Sequence, residues 1–248
     1  MKISFLISLF IDSDDRLSNL DASVGNLQYH FPDHEIILSE MDKTSKLKNR
    51  YKNVKHIFTE SDKFFNKQKC YNIGYNNSEN EIICLYDADV ILKDRTIKRT
   101  IEIFEKDESD LVYPYNGYFY DVPKNLHSKI NESKGLDDVS VNECKLLSDR
   151  SVGGVVFFKR DVFEKGGKGN QNFIGAGYED NEIFERFKML GYRISRINVP
   201  LFHLTHERKE TSFDHNPYDG HNKKEFFRVC RMNKEQLLEE IKTWNYEV

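Results

Sequence analysis

The sequence predicts an α/β fold, a mostly parallel central sheet with helices on both faces. Two observations predict it. Continuous apolar runs, such as residues 3–11 and EIICLY at 81–86, read as strands buried on both faces. Stretches with helical spacing separate these runs, and alternation of that kind favours a parallel sheet. The 248 residues, 38% hydrophobic and 31% charged, suffice for one sizeable core, so residues 1–248 are expected to form one domain.

Each element has its own warrant. Residues 3–11 form the first strand; Leu17, Leu20, Val24 and Leu27 then recur at helical spacing. Strands follow at 35–38 and 54–58. Residues 66–77 read as a helix with Cys70, Ile73 and Asn77 on one face. A buried strand at 81–86 precedes a helix at 97–104 and a strand at 111–115. Residues 120–150 are polar and weakly periodic, the expected mobile or acceptor-facing segment. GGVVFFK at 153–159 is a strand opening on two glycines. Ile183, Phe184, Phe187 and Leu190 form a helical stripe closed by Gly191. Residues 193–202 are extended, and Leu237, Leu238, Ile241 and Trp244 mark a last amphipathic helix.

Composition excludes several classes. A net charge of −4 with mixed signs speaks against a nucleic-acid binder. Cys70, Cys84, Cys144 and Cys230 are dispersed without a CxxC pair, so reduced thiols are expected. The apolar start competes with a signal-peptide reading, but the run is short and Asp12, Asp14 and Asp15 follow it. No other stretch approaches a membrane span. The expectation is a cytoplasmic protein without a transmembrane segment, still able to touch a membrane surface.

Four constellations can carry chemistry. Asp87-Ala88-Asp89 follows EIICLY, so a core strand would hold both acids at the sheet rim. In extended chain alternate residues point the same way, and both carboxylates could face one hard cation. The plain alternative is a polar strand end. His203-Leu204-Thr205-His206 follows the apolar run 199–202, and its imidazoles would shift preference from Mg²⁺ toward Mn²⁺. The alternative is two surface histidines. Gly175-Ala176-Gly177-Tyr178-Glu179-Asp180 runs into a helix, where capping alone accounts for either acid but not for two glycines. A carboxylate there can act as general base for a sugar hydroxyl. Phe65-Asn66-Lys67-Gln68-Lys69 opens a helix with two lysines against its dipole, which an anionic ligand would resolve. A solvated basic turn is the alternative.

Taken in order, FNKQKCYNIGY, LYDADVILKD, GGVVFFKRDVF, GAGYEDNEIFERFKMLGYRISR and HLTHER resemble the animal beta-1,4-galactosyltransferases and the bacterial capsule and chondroitin-polymerase-type transferases, with family 2 and 7 character. The resemblance spans residues 3–208. It implies a Rossmann-like GT-A fold and a metal-dependent inverting transfer of Gal, GalNAc or a related hexose from a UDP-sugar to a saccharide or glycoconjugate hydroxyl. It implies Mn²⁺, with Mg²⁺ as the alternative. Asp89 and His206 would bind the metal, with His203, a Met in the animal enzymes, as a further ligand. Asp180 would be the base, and Glu179 would contact donor or acceptor hydroxyls. Arg16, Phe65, Lys67, Lys69, Asp87, Gly153 and Gly154 would line the donor site. Residues 1–115 would form the nucleotide-sugar half, 116–210 the acceptor and catalytic half, and 211–248 a helical extension.

The chain also departs from the animal pattern. Ala176 replaces a Trp that shapes the donor and acceptor site, and Asn181 replaces the third acid. Ser151 would leave room for an N-acetyl group. Rival readings are a retaining GT-A enzyme resembling the polypeptide GalNAc-transferases, a nucleotidyltransferase, and a non-catalytic sugar-binding module.

Overall fold

The computed structural model describes residues 1–207 and 216–244. Arg208, the last residue of HLTHER, lies outside them. The chain begins with β1 (Ile3–Leu9), whose seven residues are all buried, then α1 (Asp14–His30), β2 (Glu35–Asp42) and β3 (Lys55–Glu60). The N-terminal apolar run is thus a core strand. Ser13 caps α1 by accepting from Arg16 N–H at 3.3 Å. Next come α2 (Lys67–Asn76), β4 (Ile82–Asp87), the two-residue β5 (Val90–Ile91), α3 (Asp94–Glu105) and β6 (Leu111–Tyr113).

The second half contains β7 (Phe119–Val122), α4 (His127–Ser133), β8 (Lys145–Ser148), β9 (Val155–Lys159) and α5 (Arg160–Lys165). After these come α6 (Glu179–Met189), β10 (Ile194–Arg196), β11 (Leu201–Leu204), α7 (Asp219–Cys230) and α8 (Lys234–Lys242). Helices α5 and α7 had no separate expectation in the sequence.

The main sheet has the order β10-β6-β9-β4-β1-β2-β3. Its strands are parallel except β9, which runs antiparallel to both β4 and β6. A smaller sheet has the order β5-β11-β7-β8. The two meet where β4 turns through Ala88 and Asp89 into β5, so the carboxyl end of a core strand is also the root of the second sheet.

Residues 120–150 are more structured than their polarity suggested. They supply most of β7, all of α4 and β8, and part of a second core. Val122, Leu126 and Ile130 recur every four residues and pack with Ile91, Phe202 and Leu204. That spacing was legible, but polar residues between these positions diluted it. All four cysteines are free thiols. Among the described residues no helix is long and apolar enough to cross a membrane.

Candidate active site

A cleft of ≈ 650 Å³ opens at the carboxyl ends of β1 and β4, between the two sheets and the start of α6. Asp87 closes β4 opposite Ser8 of β1. Extended geometry ends there, because residues 88 and 89 form a turn. Strand alternation therefore does not carry past Asp87, and the expectation that both carboxylates face one ion is corrected.

Asp89 turns toward the histidines. Its Oδ2 lies 3.2 Å from His206 Nε2 and 3.6 Å from His203 Nε2. One ligand atom from each of Asp89, His203 and His206 falls within 4.8 Å of the others, a spacing that can hold one metal ion. Strand pairing sets this up: His203 of β11 sits opposite Val90 of β5, and Leu204 N–H donates to the Asp89 carbonyl at 2.7 Å. The histidines thus lie on a strand and its extension. Asp121 of β7 accepts from Thr205 Oγ1 at 2.9 Å and lies 2.8 Å from His203 Nδ1, which leaves Nε2 facing Asp89. Burial opposes charge on His203, but Asp89 and Asp121 overcome it and raise the imidazole to about 9. Burial also works against the Asp89 carboxylate, yet the two imidazoles hold it well below the usual range.

Asp87 turns the other way. Tyr71 donates to its Oδ1 at 2.8 Å, and Lys67 Nζ lies 3.0 Å from the same oxygen. Lys67 also reaches both Asp180 oxygens at 3.2 Å and stands 3.8 Å from Glu179 Oε1. The protein's own acids therefore resolve the conflict of Lys67 with the α2 dipole. Burial would discharge Lys67, but Asp180 and Asp87 hold it well above its ordinary value. One cation faces three carboxylates. Burial pushes Asp180 up to about 7; Lys67 opposes the rise, while Glu179 and Asp87 add to it.

The turn into α6 is tightly held. Tyr178 takes the left-handed conformation at φ 67°, unusual for a bulky residue, and its ring packs 5.7 Å from Phe226. Glu179 accepts from Gly177 N–H at 2.5 Å. Upstream, Gly175 N–H donates to the Phe65 carbonyl at 2.8 Å, and its φ of 68° suits glycine. Asn222 of α7 accepts from Ile174 N–H at 3.0 Å and donates to its carbonyl at 2.9 Å. Asn216 donates to the carbonyls of Ile174 and Ala176 at 2.7 Å each. The loop before Asp180 is thereby pinned from both sides.

Arg16, Phe65, Gly153 and Gly154 also line the cleft. Arg16 Nη1 lies 3.8 Å from Asp89 Oδ2, and the Phe65 ring packs 5.9 Å from Phe10. A Cβ at Gly153 would stand 2.5 Å from Asp180 Oδ2, so only glycine leaves room for the acid. Gly154 accepts from Asp87 N–H at 2.8 Å. Lys69 is the exception among the expected donor-site residues. It does not line the cleft; its N–H donates to the cap Asn66 at 2.9 Å. Sequence reasoning missed Tyr71, one helical turn after Lys67 and so within reach of local pattern. It also missed Asp121, 82 positions from His203, which no local pattern could supply.

The family model "Glycosyltransferase like family 2" matches residues 15–243. No protein of curated function matches the chain. Among solved structures, S. aureus TarS residues 1–349 superimposes with a TM-score of 0.58 at 13% identity, over 98% of this chain and 71% of that one. A variant of a Drosophila beta1,4-galactosyltransferase 7, in complex with manganese, UDP-Gal and xylobiose, gives a TM-score of 0.52 at 16% identity, over 94% and 81% of the respective chains. With the mostly parallel sheet and the family match on the same residues, the chain belongs to the glycosyltransferase family 2-like proteins and is a glycosyltransferase of GT-A fold.

Proposed function

We propose that the chain moves galactose, N-acetylgalactosamine or a related hexose from a UDP-sugar to a saccharide hydroxyl, with inversion at the anomeric carbon. One observation carries the reading. Three segments far apart in sequence meet in a single cleft: Asp87 and Asp89, the His203–His206 pair, and the acidic start of α6. The neighbouring galactosyltransferase, solved with manganese, UDP-Gal and xylobiose, supports the choice of donor class and acceptor class.

Asp89, His203 and His206 suit a divalent cation. Both imidazoles present Nε2, and a set of one oxygen and two nitrogens favours Mn²⁺ over Mg²⁺. Such an ion would supply Lewis-acid stabilisation of charge on the departing diphosphate. Arg16, Phe65 and Lys67 would hold the nucleotide end of the donor, with Asp87 and the glycines Gly153 and Gly154 beside the sugar. Asp180 takes the proton from the acceptor hydroxyl. Its carboxyl, raised to about 7, is matched to that task near neutral pH. Glu179, fixed by Gly177 N–H, contacts sugar hydroxyls. Ser151 lines the cleft and is small enough to admit an N-acetyl group. Residues 1–115 would then serve mainly the donor, and 116–210 the acceptor and the chemistry.

The test is a donor screen: each UDP-sugar with Mn²⁺ and a panel of saccharide acceptors, reading UDP release and the anomeric configuration of the product. Release with UDP-Gal or UDP-GalNAc and an inverted product is the expected result. A retained configuration would remove Asp180 as base. Release of pyrophosphate rather than UDP would remove the glycosyl-transfer chemistry proposed for this cleft.

A further inference from the structure

The loop joining β2 to β3 carries charge of one sign. Lys43, Lys46, Lys48, Arg50, Lys52 and Lys55 fall within it or at its end, and no Asp or Glu occurs between Asp42 and Glu60. The chain as a whole carries −4, so this positive face sits on an otherwise acidic protein. All six basic side chains are exposed.

The loop is built rather than loose. Glu40, buried at the end of β2, accepts from Ser45 Oγ at 2.7 Å and from Lys46 N–H at 2.6 Å. Leu47 is 1% exposed and plugs into the main core. Tyr51 donates to Asp21 of α1 at 2.7 Å, and Gln28 of α1 donates to the Lys52 carbonyl at 2.6 Å. Arg50 is tied to Asp21 at 2.5 Å. Lys46 reaches only Thr44 Oγ1 and Lys55 only the Asn77 carbonyl. Among the described residues Lys43, Lys48 and Lys52 have no side-chain partner. The backbone is fixed while the charges stay unspent.

We propose that this loop is a docking surface for a membrane rich in anionic phospholipid. The chemistry of the charges selects the partner. Bidentate recognition of a discrete phosphate or sulfate favours arginine forks, and the only arginine here is already bound to Asp21. Exposed lysines spread along a braced loop suit the diffuse field of a headgroup layer. The proposal uses neither the donor nor the metal, so it stands or falls separately from the transferase reading.

The experiment is co-sedimentation of the full chain with phosphatidylcholine vesicles, with and without phosphatidylglycerol, at low and high salt. Binding is expected only to the phosphatidylglycerol vesicles, and it should weaken as salt rises. At about fivefold per lysine, the triple variant Lys43→Gln, Lys48→Gln, Lys52→Gln loses about a hundredfold in binding. These exposed side chains make no hydrogen bond or ion pair among the described residues, so the variant is expected to keep its fold, checked by thermal melting, and its vesicle-free activity. Equal binding of variant and parent overturns the proposal. So does equal binding to the two vesicle types, or capture on heparin with no binding to vesicles.

Discussion

Replacing Asp180 by Asn separates catalysis from stability in one residue. As general base, Asp180 accounts for a turnover loss of about 10²–10⁴-fold on substitution. Its effect on stability has the opposite sign. Burial, Glu179 and Asp87 push the carboxyl from 3.8 to about 7 against the pull of Lys67. Between those values the folded protein keeps a proton that the unfolded chain has released, so stability falls as pH rises through this window. At about 1.4 kcal/mol per unit, the full penalty above pH 7 is slightly over about 4 kcal/mol. The side chain is 28% exposed to the cleft, and solvent screening brings this nearer ~2 kcal/mol. Asn keeps the shape and removes the charge, leaving Lys67 still paired with Asp87.

The variant should therefore melt about 4–8 °C higher than the parent at pH 8, with the gap closing toward pH 5. The assays are melting temperature across that range and kcat/KM against pH. The parent's kcat/KM should fall with unit slope below pH about 7 as Asp180 takes up its proton, and the variant should lack that limb. A variant with parental turnover, or one no more stable at pH 8, would refute the placement of a strained base at this position.

Other perturbations test the surrounding geometry. Gly153→Ala places a methyl 2.5 Å from Asp180 Oδ2 and should cut turnover at least tenfold while Mn²⁺ affinity, read by titration calorimetry, stays unchanged. Asp89→Ala should abolish Mn²⁺-dependent UDP binding; equal affinity with and without Mn²⁺ would remove the metal site. Asp121→Asn frees His203 Nδ1 from its carboxylate and should weaken Mn²⁺ binding by about 10–100-fold, read by electron paramagnetic resonance of the free ion. Arg186→Leu strands Glu182, whose carboxylate pairs with Arg186 at 2.7 Å inside α6, and should cost about 3–5 kcal/mol in denaturant unfolding.

Local pattern carried much of the fold and part of the site. Ile3–Leu9 and Ile82–Asp87 are buried strands because their apolar runs leave no face for water. The acids at the end of β4, the histidines of β11 and its extension, and the glycines before α6 were identifiable as candidates because each ends, follows or opens an element visible in the sequence. The stripe of Ile183 and Phe187 located α6 itself. The small sheet was not legible, because a two-residue strand such as β5 has no periodicity of its own and exists only through pairing with β11.

What the sequence determined by itself is the alternating α/β order and the chemical character of three motifs, since these rest on residue type and spacing over a few positions. Only the tertiary structure decided how the motifs divide the work. The turn at residues 88 and 89 sends Asp87 to Lys67 and Asp89 to the histidines. Lys67 meets Asp180 across 113 positions, and Asp121 meets His203 across 82. The physical reason is that a carboxylate's role is set by the charges and burial around it, and here chain crossings supply both, with the adjacent Glu179 adding to the rise at Asp180.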